Sequence, residues 1–300
     1  MSEVNEMRRS TAAGRAMMLA AAILWGMAGI CVKSITWGPM SQIAARSLLS
    51  FLILAAFKRS MKLRFSKQNI LGALAMTATG ILYVTAITMS TAGTAIVLQY
   101  IAPILVLLYY VIFRHRRPTL AEILISALVF VGVFLSFMDD LDMTHVIGNI
   151  LAILSGFAFA AQIVIMSGSD NDSSDSLMIS CLISMVIALP FMLTDKGLSF
   201  DSKNIFWVLM LGIFQYGMAN VLFGYGIKKV NTIEGSLILT IEPVFNPIPV
   251  ALLGIEVMGT KAIIGAVIVI TGVTVYGLLP VITARLRKRR GIADAGPSQS

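Results

Sequence analysis

The chain runs to 300 residues, 57% of them hydrophobic and 13% charged, with a mean hydropathy of +0.87 and a formal net charge of +8. Soluble domains carry roughly 45–50% apolar and about 25% charged residues, so its 23 basic and 15 acidic side chains are too few to coat a water-soluble fold of this length. The same figures exclude collagen-like, disordered and disulfide-rich secreted chains and leave an all-α integral membrane protein.

A helix rises about 1.5 Å per residue, so about 20 apolar residues cross a hydrocarbon core about 30 Å thick. Ten runs meet that length: 16–35, 39–57, 70–89, 93–113, 120–137, 146–166, 176–194, 205–225, 232–254 and 260–282. They are apolar on all sides, which predicts helices and excludes the alternating strands of a β-barrel. The first run follows Arg8, Arg9 and Arg15, is longer than a signal-peptide core and ends without a small-x-small cleavage site. It reads as an uncleaved helix behind a short segment, 1–15.

Run one carries Trp25-Gly26, and run two a lone cation, Arg46, about 10 Å from the nearer end of its helix. Run three contributes Tyr83, run four Gln99, Tyr100 and Pro103, run six Gln162, and run eight Tyr216 and Asn220 among Gly212, Gly217, Gly224 and Gly226. Run nine places Glu242 about 15 Å deep, close to the midplane, and follows it with Pro243, Asn246, Pro247 and Pro249. Missing amide donors at those prolines should kink the helix and turn carbonyls toward a cavity.

An ionisable side chain at such depth is expensive, so each needs a reason. Glu242 reads as a cavity carboxylate for a substrate ammonium or a proton, or else as a paired or protonated structural group. Arg46 can reach a substrate carboxylate, Glu242, or the headgroups by snorkelling. The aromatic and amide residues supply a lining able to hold a cation over a ring or to bond across helices. Glu122 and Glu234 fall in first helical turns, where the helix dipole favours a carboxylate. Trp37 and Trp207, near run ends, read as interfacial anchors. Cys31 and Cys181 lie inside runs and read as small fillers, not a disulfide.

Basic residues are sorted by side. With the N-terminus inside, eighteen fall on inner segments and only Lys33, Lys196, Lys203 and Lys261 on outer ones, so both termini are expected to be cytoplasmic. Loop 167–175 is the exception, with Asp170, Asp172 and Asp175 and no basic residue. The basic tail, 283–300, is expected to face anionic headgroups, and the +8 charge then calls for no nucleic-acid partner.

The chain also repeats. At an offset of 140, Ile101-Ala102-Pro103-Ile104 falls on Ile241-Glu242-Pro243-Val244, Ala95 on Gly235, and Gly132 on Gly272. The halves, 16–137 and 146–282, hold five runs each. An odd number makes the second copy enter the membrane from the other side, which predicts two inverted repeats and a cavity open to alternating faces.

Ten spans in two halves, Trp25-Gly26, Arg46, Glu242-Pro243-Val244, Glu256 fourteen residues later and the Gly265…Gly272 run resemble the EamA family of the drug/metabolite transporter superfamily. Ala102 and Arg116 depart from that pattern, standing where the second half has Glu242 and Glu256. The resemblance implies efflux or facilitated passage of small metabolites, often amino acids, through a cavity lined by spans one, three, four, six, eight and nine.

Enzyme signatures are missing. His115 and His145 both fall in loops, no phosphate-binding loop is present, and Asp170-x-Asp172 lacks the Gly and Glu of a calcium loop. With the resemblance to that family, the expected function is a secondary transporter exporting small metabolites, most directly amino acids, across the cell inner membrane, without cofactor or metal. Its partners are the substrate and the bilayer, and a monomer suffices. Two other readings stand beside it: a membrane enzyme acting on a lipid-linked substrate, and a non-transporting scaffold or sensor.

Overall fold

A computed structural model describes residues 2–90, 92–141, 143–245 and 259–289. Among them every regular element is helical. Seven stretches are long and apolar enough to cross a membrane: Thr11–Val32, Pro39–Lys58, Lys67–Ala86, Thr94–Phe113, Val146–Ser167, Ser173–Met192 and Ser202–Gly226; Leu120–Ser136 and Thr260–Tyr276 are shorter apolar helices. The predicted ninth run is described only as far as Phe245, so Asn246, Pro247, Pro249 and Glu256 lie outside the described residues.

Span one is α1 (Ser2–Gly26) and α2 (Ala28–Ser34), bent at Met27 where the sequence predicts one helix. Numbered by the sequence run each covers, spans two and three are α3 (Pro39–Lys58) and α4 (Lys67–Met89), span four is α5 (Ala92–Gln99) and α6 (Ala102–Phe113), and the fifth run forms the shorter apolar helix α7 (Leu120–Ser136). Spans six and seven are α8 (Val146–Ser167) and α9 (Ser173–Met192). Span eight is continuous but not uniform: α10 (Ser202–Leu209) and α11 (Ala219–Gly226) flank a π-helical stretch, Met210–Met218. Then follow α12 (Thr232–Leu239), α13 (Ile241–Phe245) and α14 (Thr260–Arg289).

Polar caps set several starts. Ser66, Asp172, Asp201 and Asn231 each accept a backbone amide of the helix they precede, and Thr119 with Glu122 closes a reciprocal capping box on α7. Glu122 also takes Arg116 Nη2 at 2.8 Å. Spans four and nine break at matching places, α5 ending one turn before Pro103 and α12 one turn before Pro243.

Helices pair in antiparallel. The start of α8 at Gly148 lies against Met89 and Ser90 at the end of α4, and Gly226 of α11 lies against Gly14, Met17 and Met18 of α1. Along α7 and α14, Lys261 meets Asp139 at one end and Tyr276 meets Glu122 at the other. The fourth pair, α3 and α9, is tied at both ends. At one, Asp195 accepts Gly38 N at 2.7 Å and Ser41 Oγ at 2.5 Å, with Gly197 N completing its shell. At the other, Lys58 pairs with fully buried Asp175, which also accepts Arg64 N.

These ties explain the acidic loop. Asp172 caps α9 while its own amide donates to Asn69, Asn171 reaches Gln68 O, and Lys228 donates to the carbonyls of Gly168 and Asn171. Asp175 answers Lys58 on a neighbouring segment, Asp172 caps its own helix, and Lys228 binds the loop through its carbonyls. Trp37 corrects an expectation: it is buried, edge-on to Phe200, with Nε1 donating to Ser199 O at 2.7 Å, because the loop after span seven covers it. Cys31 and Cys181 are free thiols, both buried.

The face carrying Arg15, Lys58, Arg64, Arg116 and Lys228 is called the basic face below. Its half of the bundle holds many of the largest fully buried side chains, among them Met18, Ile163, Met166, Leu177, Phe223, Ile227, Ile233 and Leu237. Lipid tails are as apolar as leucine, so this packing holds through close fit and polar ties, not through exclusion of water.

Candidate substrate-binding site

A cavity of about 110 Å³ lies halfway through the bundle. Trp25 and Ala28 reach it from span one, Arg46 from two, Met76, Thr79, Gly80 and Tyr83 from three, Gln99 from four, Phe159 and Gln162 from six, Gln215 and Tyr216 from eight, and Glu242 from nine. Local breaks position several of them. The wide turns of the π-helical stretch bring neighbouring Gln215 and Tyr216 to the same wall, as such insertions often do at functional sites. The break at Thr240 sets Glu242 at the head of α13.

Gly26 is what lets spans one and nine meet there. A Cβ at this position would stand 3.0 Å from the carbonyl oxygen of Glu242 and 3.1 Å from Phe245. A side chain here would require α13, which carries the Glu242 carboxylate, to give by a few tenths of an ångström.

The two charges lie apart. Glu242 Oε2 accepts the Tyr100 hydroxyl at 2.7 Å, and Tyr100 sits behind the wall, edge-on to Phe159. The Arg46 guanidinium lies over the Tyr216 ring, 4.5 Å from its centroid, and among the described residues no carboxylate lies within ion-pair distance of it.

Four polar atoms on this wall are buried without a protein partner: Trp25 Nε1, Arg46 Nε, Gln162 Oε1 and Gln215 Oε1. Gln162 and Gln215 are only 1% and 4% exposed, so bulk water does not satisfy them. Leaving a buried polar group unmatched costs about 1–3 kcal/mol. Two of the atoms donate and two accept, so the wall suits a ligand that does both.

Most candidate residues meet here. Trp25, Arg46, Tyr83, Gln99, Gln162, Tyr216 and Glu242 line one space, and Tyr100 supports it. Asn220 does not: it is fully buried beside α3, its Nδ2 donating to Ser50 Oγ at 3.3 Å. Sequence reasoning missed Gln215, whose Nε2 donates to Trp25 O at 3.1 Å. An amide in mid-span was the signal that could have found it. A larger hollow of about 440 Å³ opens at the basic face beside Arg64, Asp170, Asp172 and Lys228, but Asp172 and Lys228 there are engaged in helix caps and loop ties.

Comparison with known proteins agrees with this architecture. A crystal structure described only as "Crystal structure of protein" superposes with a TM-score of 0.77 over 90% of this chain and 98% of its own, at 16% identity, which establishes a shared fold. No curated protein sequence matches. The model of the EamA-like transporter family matches twice, over residues 12–138 and 146–278. Two family repeats covering almost the whole membrane bundle make this chain a member of the EamA-like transporter family, within the drug/metabolite transporter superfamily.

Proposed function

We propose that the chain is a secondary transporter that exports small zwitterionic metabolites, amino acids foremost, by alternating access. The observation that carries this reading is the mid-span cavity, where Arg46 and Glu242 face the same space unpaired with each other amid four unmatched buried polar atoms. A carboxylate set against the Arg46 guanidinium and an ammonium set against Glu242 would satisfy both charges in one binding event.

Inverted repeats supply the motion, and the packing supports them. Span three lies on six as eight lies on one; span four touches six as nine touches one; two pairs with seven and five with ten. Exchanging the halves maps each of these contacts onto another or onto itself, as a two-fold axis in the membrane plane requires. The basic face is read as cytoplasmic, with both termini on that side of an inner membrane.

The test is counterflow of radiolabelled amino acids in vesicles holding the purified protein. Saturable counterflow that Arg46→Gln and Glu242→Gln each depress supports the reading. A correctly folded protein that moves none of them overturns it.

A further inference from the structure

The cavity does not end alike on its two sides. Toward the basic face every residue from 232 to 240 is buried, and Trp25, on the cavity wall, lies tilted against fully buried Phe223, ring centroids 5.2 Å apart. Beyond Phe223 the path is filled by Met18, Ile163, Met166, Ile227 and Leu237, all at 0% exposure. Toward the other face, residues 78–85 of α4 are half-buried throughout. Their repeat partners at the offset of 140, residues 218–225 of span eight, include five that are buried. In this pair of equivalent segments the one nearer the basic face is the more tightly packed, while residues 94–97, the repeat partners of 234–237, are buried as well.

Beneath the apolar plug stands an ion pair that, like Lys58–Asp175 and Lys261–Asp139, joins the first half of the chain to the second. Arg15 Nε of α1 lies 2.5 Å from Glu234 Oε1 of α12, with the Glu234 side chain only 8% exposed and that of Arg15 30%. Beside it Tyr110 donates to Thr232 Oγ1 at 2.8 Å, and Thr232 reaches Ser167 at 2.9 Å, joining the inner ends of spans four, nine and six. A helix dipole alone accounts for an acid in the first turn of α12. It does not account for a nearly buried carboxylate matched to a base on the other repeat.

The geometry points to Arg15–Glu234 as the latch that closes the transport path at the basic face. Opening inward would separate α1 from α12, hydrate both charges and expose the plug. The ties at Asp175 and Asp195 differ, because they hold α3 to α9 at both ends and leave that pair a fixed spine.

This inference rests on the transport reading, yet its test needs no substrate, so the two can fail separately. In a Cys31→Ala/Cys181→Ala background, single reporters Ser236→Cys and Met166→Cys sit within the sealed region, and Val129→Cys, in the α7 interface, serves as control. A membrane-impermeant maleimide is added separately to each side of sealed vesicles. Arg15→Gln and Glu234→Gln should each raise labelling of both reporters roughly tenfold from the basic side only, the population shift expected when a largely buried pair loses one member. Val129→Cys should stay unlabelled, and the Arg15→Glu/Glu234→Arg exchange should restore protection. Unchanged labelling of the reporters, equal labelling of the control, or an exchange that restores nothing would overturn the latch.

Discussion

Glu242→Gln is the sharpest perturbation of the site. The amide keeps the volume and still offers an oxygen to the Tyr100 hydroxyl 2.7 Å away, so helix packing and insertion should be unaffected. Only the charge is lost. A charge-assisted bond contributes about 1.5–3 kcal/mol, against about 0.5–1.5 kcal/mol for a neutral one. The difference is about 1–2 kcal/mol, which is roughly five- to thirtyfold in affinity for a cationic group. Titration of the purified protein with amino acids should show that loss, and vesicle counterflow should fall at subsaturating substrate, while thermal stability without substrate stays near the parent value. Affinity and flux equal to the parent's would refute a binding role for this carboxylate and leave it an architectural group.

Three further outcomes follow from named contacts. Gly26→Val should depress transport more than stability, since the added side chain displaces the Glu242 carbonyl 3.0 Å from the Cβ position and tilts α13; unaltered flux would show that spans one and nine need not close. Lys58→Met leaves fully buried Asp175 without its counter-charge and should destabilise the protein by about 3–5 kcal/mol, read as a lower melting temperature in detergent, with Lys58→Arg largely spared. Asp195 is held below the usual carboxylate range by the Ser41 hydroxyl first and then by the Gly197 and Gly38 amides. Its contribution is therefore present above about pH 4 and lost as pH falls further, through its own lowered value. Asp195→Asn should lower melting by a few degrees at neutral pH and flatten the acid limb of the stability profile; a variant with the parent's acid limb would refute that assignment.

The membrane class, seven of the ten expected membrane-length helices and the two repeats were legible in the residues, because length and apolarity decide whether a helix can cross lipid, and a duplicated segment keeps its proline and glycine landmarks. The polar residues of the site were legible for the converse reason: a charge or amide in hydrocarbon stands out by its cost, and Arg46, Gln162 and Glu242 do meet in one cavity. What lies between helices was not legible. A helix apolar on every side carries no mark of which stripe faces a neighbour, since lipid and protein look alike to it. Only the tertiary structure decided that Arg46 rests on Tyr216 and not on Glu242, that Asn220 turns to Ser50, and that a π-helical stretch brings in Gln215. It likewise set Arg15 against Glu234 beneath a plug of side chains from spans distant in the chain, a contact that exists only once those helices have packed.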